Sequence, residues 1–215
     1  PISMEEMIFL TSSVSRATKY SLVVADMPFL SYQVSVQDAI LNAGKFVKIA
    51  GAQAIKLEGG EKYSNRILGI VEAGIPVMGH IGLTPQSFHQ MSGYKIQGKT
   101  AQSAKQLLKD AIAIEKAGAF AIVIEGVPSE IASIITKSIS IPTIGIGAGK
   151  YCDGQIQVFH DILGLYGDFV PKHSKQYDNL SNNIANALSN YKKDVEKNRF
   201  PEKKHSTHID KKNLD

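Results

Sequence analysis

The sequence predicts an α/β protein built around a parallel sheet, and we interpret it as a (β/α)8 barrel that lacks its first two strands in this chain. Amphipathic helices alternate with short apolar strands along the sequence, which is typical of a parallel sheet with helices packed on it. The strands are continuous apolar runs, as expected for strands buried on both faces. A doubly wound open sheet is the alternative that the same alternation allows.

The first part of the chain supplies two helix–strand units. Ser3, followed three residues later by Glu6, predicts a capping box at the start of a helix. The run SLVVADMP predicts a strand that delivers Asp26 at its carboxyl end. Ser35 with Asp38 opens the next helix, and AIKLEGG is the strand beyond it. The predicted apolar face of that second helix consists of Val36, Ala39, Ile40, Ala43 and Val47.

Three further helix–strand units follow. Helices predicted around residues 67–71, 104–114 and 128–139 precede the strands IPVMGHIG, AFAIVIEG and IPTIGIGAG, respectively. A sixth strand is predicted around residues 155–158. Six strands and 215 residues fall short of the eight strands and ~250 residues typical of this barrel. The barrel interpretation therefore requires two strands that precede the first residue, Pro1.

Composition and charge exclude several classes of protein. The chain is 43% hydrophobic and 20% charged, as in ordinary globular domains, and has no apolar run of the ~20 residues that a membrane span needs. The net charge is +4, but residues 191–215 carry eight Lys or Arg against five Asp or Glu. We therefore expect a barrel domain over residues 1–190, a basic polar tail over residues 191–215, and no nucleic-acid or membrane partner. The single cysteine, Cys152, fits a reducing compartment and a cytoplasmic protein.

Ionisable side chains stand at the carboxyl ends of four predicted strands. They are Asp26, Lys56 with Glu58, His80, and Glu125. Because the carboxyl ends of parallel strands open on one face, where active sites lie, we expect these groups to converge. Each one alone has a structural explanation: Asp26 could cap a turn, Lys56 and Glu58 could form an ion pair in the barrel interior, and His80 could be a core histidine. A buried Glu125 without a partner is costly.

Taken together, these residues indicate a particular chemistry. Two carboxylates are suited to a hard cation such as Mg²⁺ or Mn²⁺, and a lysine beside them can neutralise a substrate carboxylate. A third carboxylate at the end of an apolar strand is suited to the work of a general base. Metal, anchor and base together point to removal of a proton next to a carbonyl group.

The glycine-rich run of residues 145–149, GIGAG, is a competing signal. Such a turn after a strand can bind phosphate, but no Lys-Ser/Thr pair follows it and no acidic ribose partner is evident. The favoured interpretation is a tight turn where the backbone approaches a neighbour.

The motifs at these strand ends resemble the ketopantoate hydroxymethyltransferases, enzymes of pantothenate synthesis. The stretches that carry the resemblance run from about residue 24 to residue 161, and the closing FPEKKHS is also similar. They are VADMPF, IKLEGGE, GHIGLTPQS, SGYKIQG, IEGVP, IPTIGIGAG and CDGQIQVFHD. The resemblance implies a (β/α)8 barrel of the phosphoenolpyruvate mutase type, assembled as a homodecamer. It also implies a requirement for Mg²⁺ and for 5,10-methylenetetrahydrofolate as co-substrate.

The resemblance also implies roles for individual residues. Asp26 would bind the metal and contact the oxo acid, Lys56 would bind the substrate, and Glu58 would belong to the metal site. Glu125 would be the proton acceptor, and His80 a supporting polar group in the substrate pocket. One departure is clear: the family places its first metal-binding aspartate in a Gly-Asp-Ser motif on the second strand, and no Gly-Asp-Ser occurs in this sequence.

The predicted reaction transfers a hydroxymethyl group to 3-methyl-2-oxobutanoate, forming 2-dehydropantoate. The alternative enzyme is a C–C lyase or mutase of the same barrel superfamily that acts on a 2-oxo acid. A catalytic cysteine would favour that alternative, but Cys152 has no partner base in the sequence around it. The non-enzymatic alternative is an inactive truncated scaffold that associates only with copies of itself.

Overall fold

The computed structural model describes residues 2–91, 93–166 and 170–210. The chain separates into two compact units, residues 1–156 and residues 157–215. The first unit contains a six-stranded parallel sheet. Its strands are β1 (Val24–Asp26), β2 (Ala54–Lys56), β3 (Val77–Gly82), β4 (Ala121–Glu125), β5 (Thr143–Ile146) and β6 (Gly154–Gln155).

The strands of the sheet lie in the order in which they occur in the chain, and each is parallel to the next. A doubly wound sheet reverses its strand order at a switch point, so that alternative is wrong for the described sheet. The sixth strand predicted around residues 155–158 is present, but it is only the two residues Gly154–Gln155.

Six helices in the described part of the first unit precede or separate these strands, with two of them between β3 and β4 and none between β5 and β6. They are α1 (Met4–Ala17), α2 (Val36–Lys48), α3 (Ser64–Glu72), α4 (Phe88–Met91), α5 (Ala101–Lys116) and α6 (Ser129–Ser138). The capping predictions are confirmed, because Ser3 and Glu6 form a reciprocal capping box and the Ser35 hydroxyl accepts from the Asp38 N–H. Each bond satisfies a backbone donor that the first helical turn leaves unpaired.

The core of the first unit lies on the face of the sheet that the helices cover. Ile55, Ile122 and Ile124 are fully buried there. The helices meet the core mainly with small and branched side chains: Ala39, Ala43, Ile67, Ile70, Ala111, Ile114 and Ile135. The predicted apolar face of α2 is wrong at Val47, which is exposed, whereas Phe46 is fully buried. The buried residues Ala39, Ala43 and Phe46 are spaced four and three apart, as one helix face requires.

The second unit contains α7 (Phe159–Leu163), α8 (Leu180–Glu196) and a short 3₁₀ turn, Lys203–His205. Helix α8 runs across residue 190, where the sequence predicts the end of the barrel domain, and that boundary stays a prediction. No helix in the described ranges is both long enough and apolar enough to span a bilayer.

Candidate active site

The sheet register places Asp26, Lys56 and Glu58 on one face. Asp26 at the end of β1 is paired with Lys56 at the end of β2, and directly paired residues of parallel strands point to the same side. Side chains two residues apart along an extended chain share a face, so Glu58 lies on the side of Lys56. Ile55 and Leu57, which alternate with them along the chain, are fully buried on the side of the helices.

The same two-residue alternation places His80 and Glu125 on that face. Lys56 is paired with Met78 on β3, and His80 follows two residues later. His80 is in turn paired with Val123 on β4, two residues before Glu125. The convergence of four strand ends expected from the sequence is therefore present in the fold.

Lys56 pairs with Asp26 rather than with Glu58. The Lys56 Nζ atom lies 2.7 Å from Asp26 Oδ1, so the ion pair between Lys56 and Glu58 that the sequence allowed is replaced by one across strands. Asp26 Oδ1 is buried, and no described donor gives it a well-directed hydrogen bond. Its contact with Lys56 is therefore an electrostatic one, and the oxygen retains capacity for a further cationic partner.

Glu58 is a buried carboxylate that accepts a backbone hydrogen bond. Its Oε2 accepts from the backbone N–H of Gln86 at 2.9 Å, and only 5% of its side chain is exposed. The pKa of Glu58 is raised to about 7, mainly by burial and to a smaller extent by the nearby charges of Asp26 and Glu125, whereas Lys56 and the Gln86 N–H oppose the rise. A positive ion near this carboxylate would favour its charged form.

His80 lies between the lysine and the two glutamates. Its Nδ1 is 3.4 Å from Lys56 Nζ and 3.8 Å from Glu58 Oε1, and its Nε2 is 3.2 Å from Glu125 Oε2. Burial lowers the pKa of His80, which favours a neutral ring. Because the lysine can only donate, Nδ1 is assigned as the acceptor and the ring proton is assigned to Nε2, facing Glu125. That contact is short, although the N–H does not point directly at the oxygen.

Glu125 stands at the end of the most buried part of the sheet. Residues 121–124 are all buried, whereas the Glu125 side chain retains 17% exposure. Its backbone carbonyl accepts from the Leu83 N–H at 2.7 Å. A side chain at Gly82 would collide with that carbonyl, since a Cβ atom would lie 2.1 Å from the oxygen, and Gly82 has a φ of +92°. Glycine at this position therefore lets β3 and β4 remain close where the site is formed.

The glycine-rich loop after β5 makes close backbone contacts. A Cβ atom on Gly149 would lie 2.1 Å from the Ser129 hydroxyl, and the Gly149 carbonyl accepts from Gln155 Nε2. These contacts fit the interpretation of a tight turn. Cys152 nearby is half-buried, and burial raises the pKa of its thiol.

Two residues that support the site were not singled out in the sequence. Tyr32 is buried, and its hydroxyl lies 3.1 Å from both the backbone N and the backbone O of Glu58. Gln86 bonds to Glu58 through its own N–H and to the Met27 carbonyl through its side chain. One sequence feature could have identified them as site residues. Both lie in loops that follow strands, within FLSYQ and GLTPQS, and binding residues are often found in such loops.

The donor set fits a Mg²⁺ ion in part. In the described ranges, no three His, Cys, Asp or Glu side chains come together to enclose a metal. Mg²⁺, however, is commonly held by one or two carboxylates, with water and substrate oxygens as its other ligands. Asp26 and Glu58 provide carboxylate oxygens of that kind, and Asp26 Oδ1 receives no well-directed hydrogen bond from a described donor.

Comparison with known proteins identifies the family. A model of the family described as ketopantoate hydroxymethyltransferase matches residues 1–203. The chain belongs to this family. The resemblance of the strand-end motifs is thereby confirmed.

Two curated proteins illustrate the similarity within the family, and both are named 3-methyl-2-oxobutanoate hydroxymethyltransferase. The protein from Clostridium beijerinckii is 55% identical over 213 residues, which cover 99% of this chain and 78% of that protein. The protein from Dehalococcoides mccartyi is 54% identical over 214 residues, covering 100% of this chain and 77% of that protein.

Solved structures with low sequence identity share the fold. A candidate phosphonomutase from Burkholderia cenocepacia matches with a TM-score of 0.54 at 15% identity, covering 72% of this chain and 70% of that one. A candidate lyase or mutase from the same organism matches with a TM-score of 0.51 at 12% identity, covering 100% of this chain and 75% of that one. At these identities the similarity concerns the fold alone, and it agrees with the α/β prediction.

Proposed function

We propose that this protein transfers a hydroxymethyl group from 5,10-methylenetetrahydrofolate to 3-methyl-2-oxobutanoate, the first step of pantothenate synthesis. Family membership and the names of the relatives support this reaction. The observation that carries the proposal is the contact between His80 and Glu125, on the face that also carries Asp26, Lys56 and Glu58. A candidate base thus lies beside groups that suit an anionic oxo acid and a cation.

We further infer that the six strands are part of a (β/α)8 barrel of the phosphoenolpyruvate mutase type, with its first two strands lacking in this chain. The parallel order without reversal supports this interpretation. In the same proposal, residues 1–190 form the barrel domain and residues 191–215 a basic tail. Assembly as a homodecamer and a cytoplasmic location complete the proposal and follow from the family resemblance and the single cysteine.

Asp26 and Glu58 are the residues that would hold Mg²⁺. When bound, this ion would withdraw electrons from the carboxylate and oxo groups of the substrate and make its C3 proton more acidic. Lys56 would attract the substrate carboxylate, since its ammonium lies at the same end of the sheet as Asp26. Asp26 would also contact the oxo acid.

Glu125 would accept the C3 proton of the oxo acid. The electron pair of the broken C–H bond becomes the nucleophile that attacks the methylene carbon of the folate. That carbon is bonded to two folate nitrogens. The first C–N bond breaks as the new C–C bond forms, and the released nitrogen takes the proton that Glu125 removed. Water then replaces the second nitrogen, giving its oxygen to the hydroxymethyl group and a proton to that nitrogen, so that 2-dehydropantoate and tetrahydrofolate leave. His80 would orient Glu125, because its Nε2 lies 3.2 Å from one carboxylate oxygen and leaves the other for the substrate.

Exchange of the C3 hydrogen with deuterated water tests the base directly, because it requires proton removal but not the folate step. We expect Glu125→Gln to bind the oxo acid and to exchange about 10²–10⁴-fold more slowly than wild type, the usual contribution of a general base. Glu72→Gln makes the same chemical change at an exposed site on α3 and is expected to exchange normally. Wild-type exchange in Glu125→Gln would reject Glu125 as the base and make His80 the next candidate.

A further inference from the structure

The hydroxyl group of Tyr32 makes the contacts with the backbone of Glu58 that a neighbouring strand would otherwise make. Strand β1 ends at Asp26, and its last contact with the chain of β2 is the bond from the Met27 N–H to the Lys56 carbonyl at 2.9 Å. Glu58 lies two residues after Lys56, so its N–H and carbonyl point to the same side as the Lys56 carbonyl. At that position β1 has ended and provides no backbone partners. The Tyr32 hydroxyl accepts from the Glu58 N–H at 3.1 Å and lies 3.1 Å from the Glu58 carbonyl.

Gln86 connects this hydroxyl to the carboxylate of Glu58 and to the backbone next to Asp26. Its backbone N–H donates to Glu58 Oε2 at 2.9 Å, and its side-chain Nε2 donates to the carbonyl of Met27, the residue after Asp26, at 2.8 Å. Its Oε1 lies 3.1 Å from the Tyr32 hydroxyl and accepts from Gln33 at 3.3 Å. The single hydroxyl proton of Tyr32 can go either to Gln86 Oε1 or to the Glu58 carbonyl.

These contacts form a connected network with few degrees of freedom. Tyr32 is only 1% exposed, and its ring packs edge-on against Tyr63 with the centroids 5.6 Å apart. Burial raises the pKa of Tyr32 far above its usual value, so the hydroxyl stays protonated. The network joins the loops that follow β1, β2 and β3. Its hydrogen bonds end on Glu58, on the residue next to Asp26, or on another member of the network.

We propose that Tyr32 and Gln86 are positioning residues that hold the carboxylates of Asp26 and Glu58 in the arrangement that binds Mg²⁺. The inference rests on the proposed function, because it takes these two carboxylates as the metal ligands. Partners that orient metal ligands in this way usually contribute strongly to metal affinity, and removing one costs about 10–100-fold. Glu125 and His80 make no hydrogen bond to either residue, so the base itself is left in place.

The test is a calorimetric titration of the purified protein with MgCl₂, without folate, for wild type, Tyr32→Phe and Gln86→Met. Tyr32→Phe keeps the buried ring and removes only the hydroxyl, whereas Gln86→Met removes the side-chain bonds and keeps the N–H that reaches Glu58. We expect each substitution to weaken Mg²⁺ binding about tenfold or more. In the deuterium-exchange assay, the rate at saturating Mg²⁺ and oxo acid should stay close to that of wild type, with the loss confined to half-saturating concentrations.

Tyr63→Phe is the matched control, since it removes a hydroxyl from the neighbouring ring without touching Glu58, and it should bind Mg²⁺ like wild type. Thermal unfolding of each variant is measured in parallel. Lower melting temperatures with unchanged Mg²⁺ affinity in Tyr32→Phe and Gln86→Met would mean that the network is only structural, and would overturn the positioning role while leaving the proposed function intact. If the wild-type protein itself binds no Mg²⁺, the metal part of the proposed function fails, and the positioning role fails with it.

Discussion

At the scale of single residues, the site is defined by an imbalance of charge. Three carboxylates, those of Asp26, Glu58 and Glu125, share one face with Lys56, the only ammonium among the described residues that pairs with any of them. His80 adds little positive charge, because burial lowers its pKa. The excess of negative charge in a partly buried site attracts cations, and this is the electrostatic basis for placing Mg²⁺ beside Asp26 and Glu58.

Cys152 offers a test of a residue outside this cluster. Burial raises the pKa of its thiol, although hydrogen bonds with Thr143 and Thr136 oppose the rise. The thiolate is the reactive form, so at pH 7.5 we expect iodoacetamide to modify Cys152 more slowly than an unstructured cysteine peptide, with the rate increasing as the pH is raised toward and above 9. Mass spectrometry of timed samples measures the rate, and protein unfolded in urea is the control. Modification of the folded protein at the rate of the peptide would contradict the burial of this thiol.

At the scale of secondary-structure elements, the carboxylate of Asp153 stabilises the connection from β5 to β6 through hydrogen bonds. Asp153 Oδ2 accepts from both the N–H and the hydroxyl of Thr143, at 2.8 and 2.9 Å. The Thr143 oxygen in turn lies 2.9 Å from the Thr136 hydroxyl on α6. These bonds hold the pKa of Asp153 below its usual value and join the short strand β6 to its neighbour.

We expect Asp153→Ala to lower the free energy of unfolding by about 1–3 kcal/mol, because it removes the acceptor of the backbone N–H of the fully buried Thr143. Asp194→Ala is the control. It removes a carboxylate from an exposed ion pair with Arg199, and such pairs contribute about 0–1 kcal/mol. Urea denaturation of the three proteins measures the difference. Equal stability of Asp153→Ala and wild type would show that water replaces the lost bonds.

At the scale of the whole molecule, the sheet has a well-packed centre and two edges. Among the described strands, β1 is paired with β2 alone and β6 with β5 alone. Strands β3 and β4 lie at the centre and share the longest paired stretch, from Met78 with Ala121 to Gly82 with Glu125. The backbone hydrogen bonds of the centre are therefore the ones best protected from water.

Hydrogen–deuterium exchange should follow this gradient, because local opening is easiest where few buried contacts must be broken. We expect peptides that contain β4 to exchange most slowly, and peptides that contain β1 or β6 to exchange much faster. Mass spectrometry of the native protein provides the measurement. Protection of β1 or β6 equal to that of β4 would indicate that further strands or another subunit cover these edges, and the gradient would then be wrong for the assembled protein.

The sequence by itself determined the features that depend on neighbouring residues. The alternation of helices and strands, the caps at Ser3 and Ser35, and the placement of Lys56 and Glu58 on the side opposite Ile55 all follow from local periodicity and side-chain hydrogen bonding. The strand-end motifs also identified the family, because several matching stretches occur in the right order.

Only the tertiary structure decided which of these residues meet. The choice of Asp26 as the partner of Lys56 depends on the register of β1 against β2, and the contact of Tyr32 with Glu58 joins residues 26 positions apart. The exposed Val47 and the buried Phe46 likewise depend on the angle by which α2 is rotated about its own axis. Local patterns contain no information about such angles and registers, because these are set by the packing of side chains that are distant in the sequence.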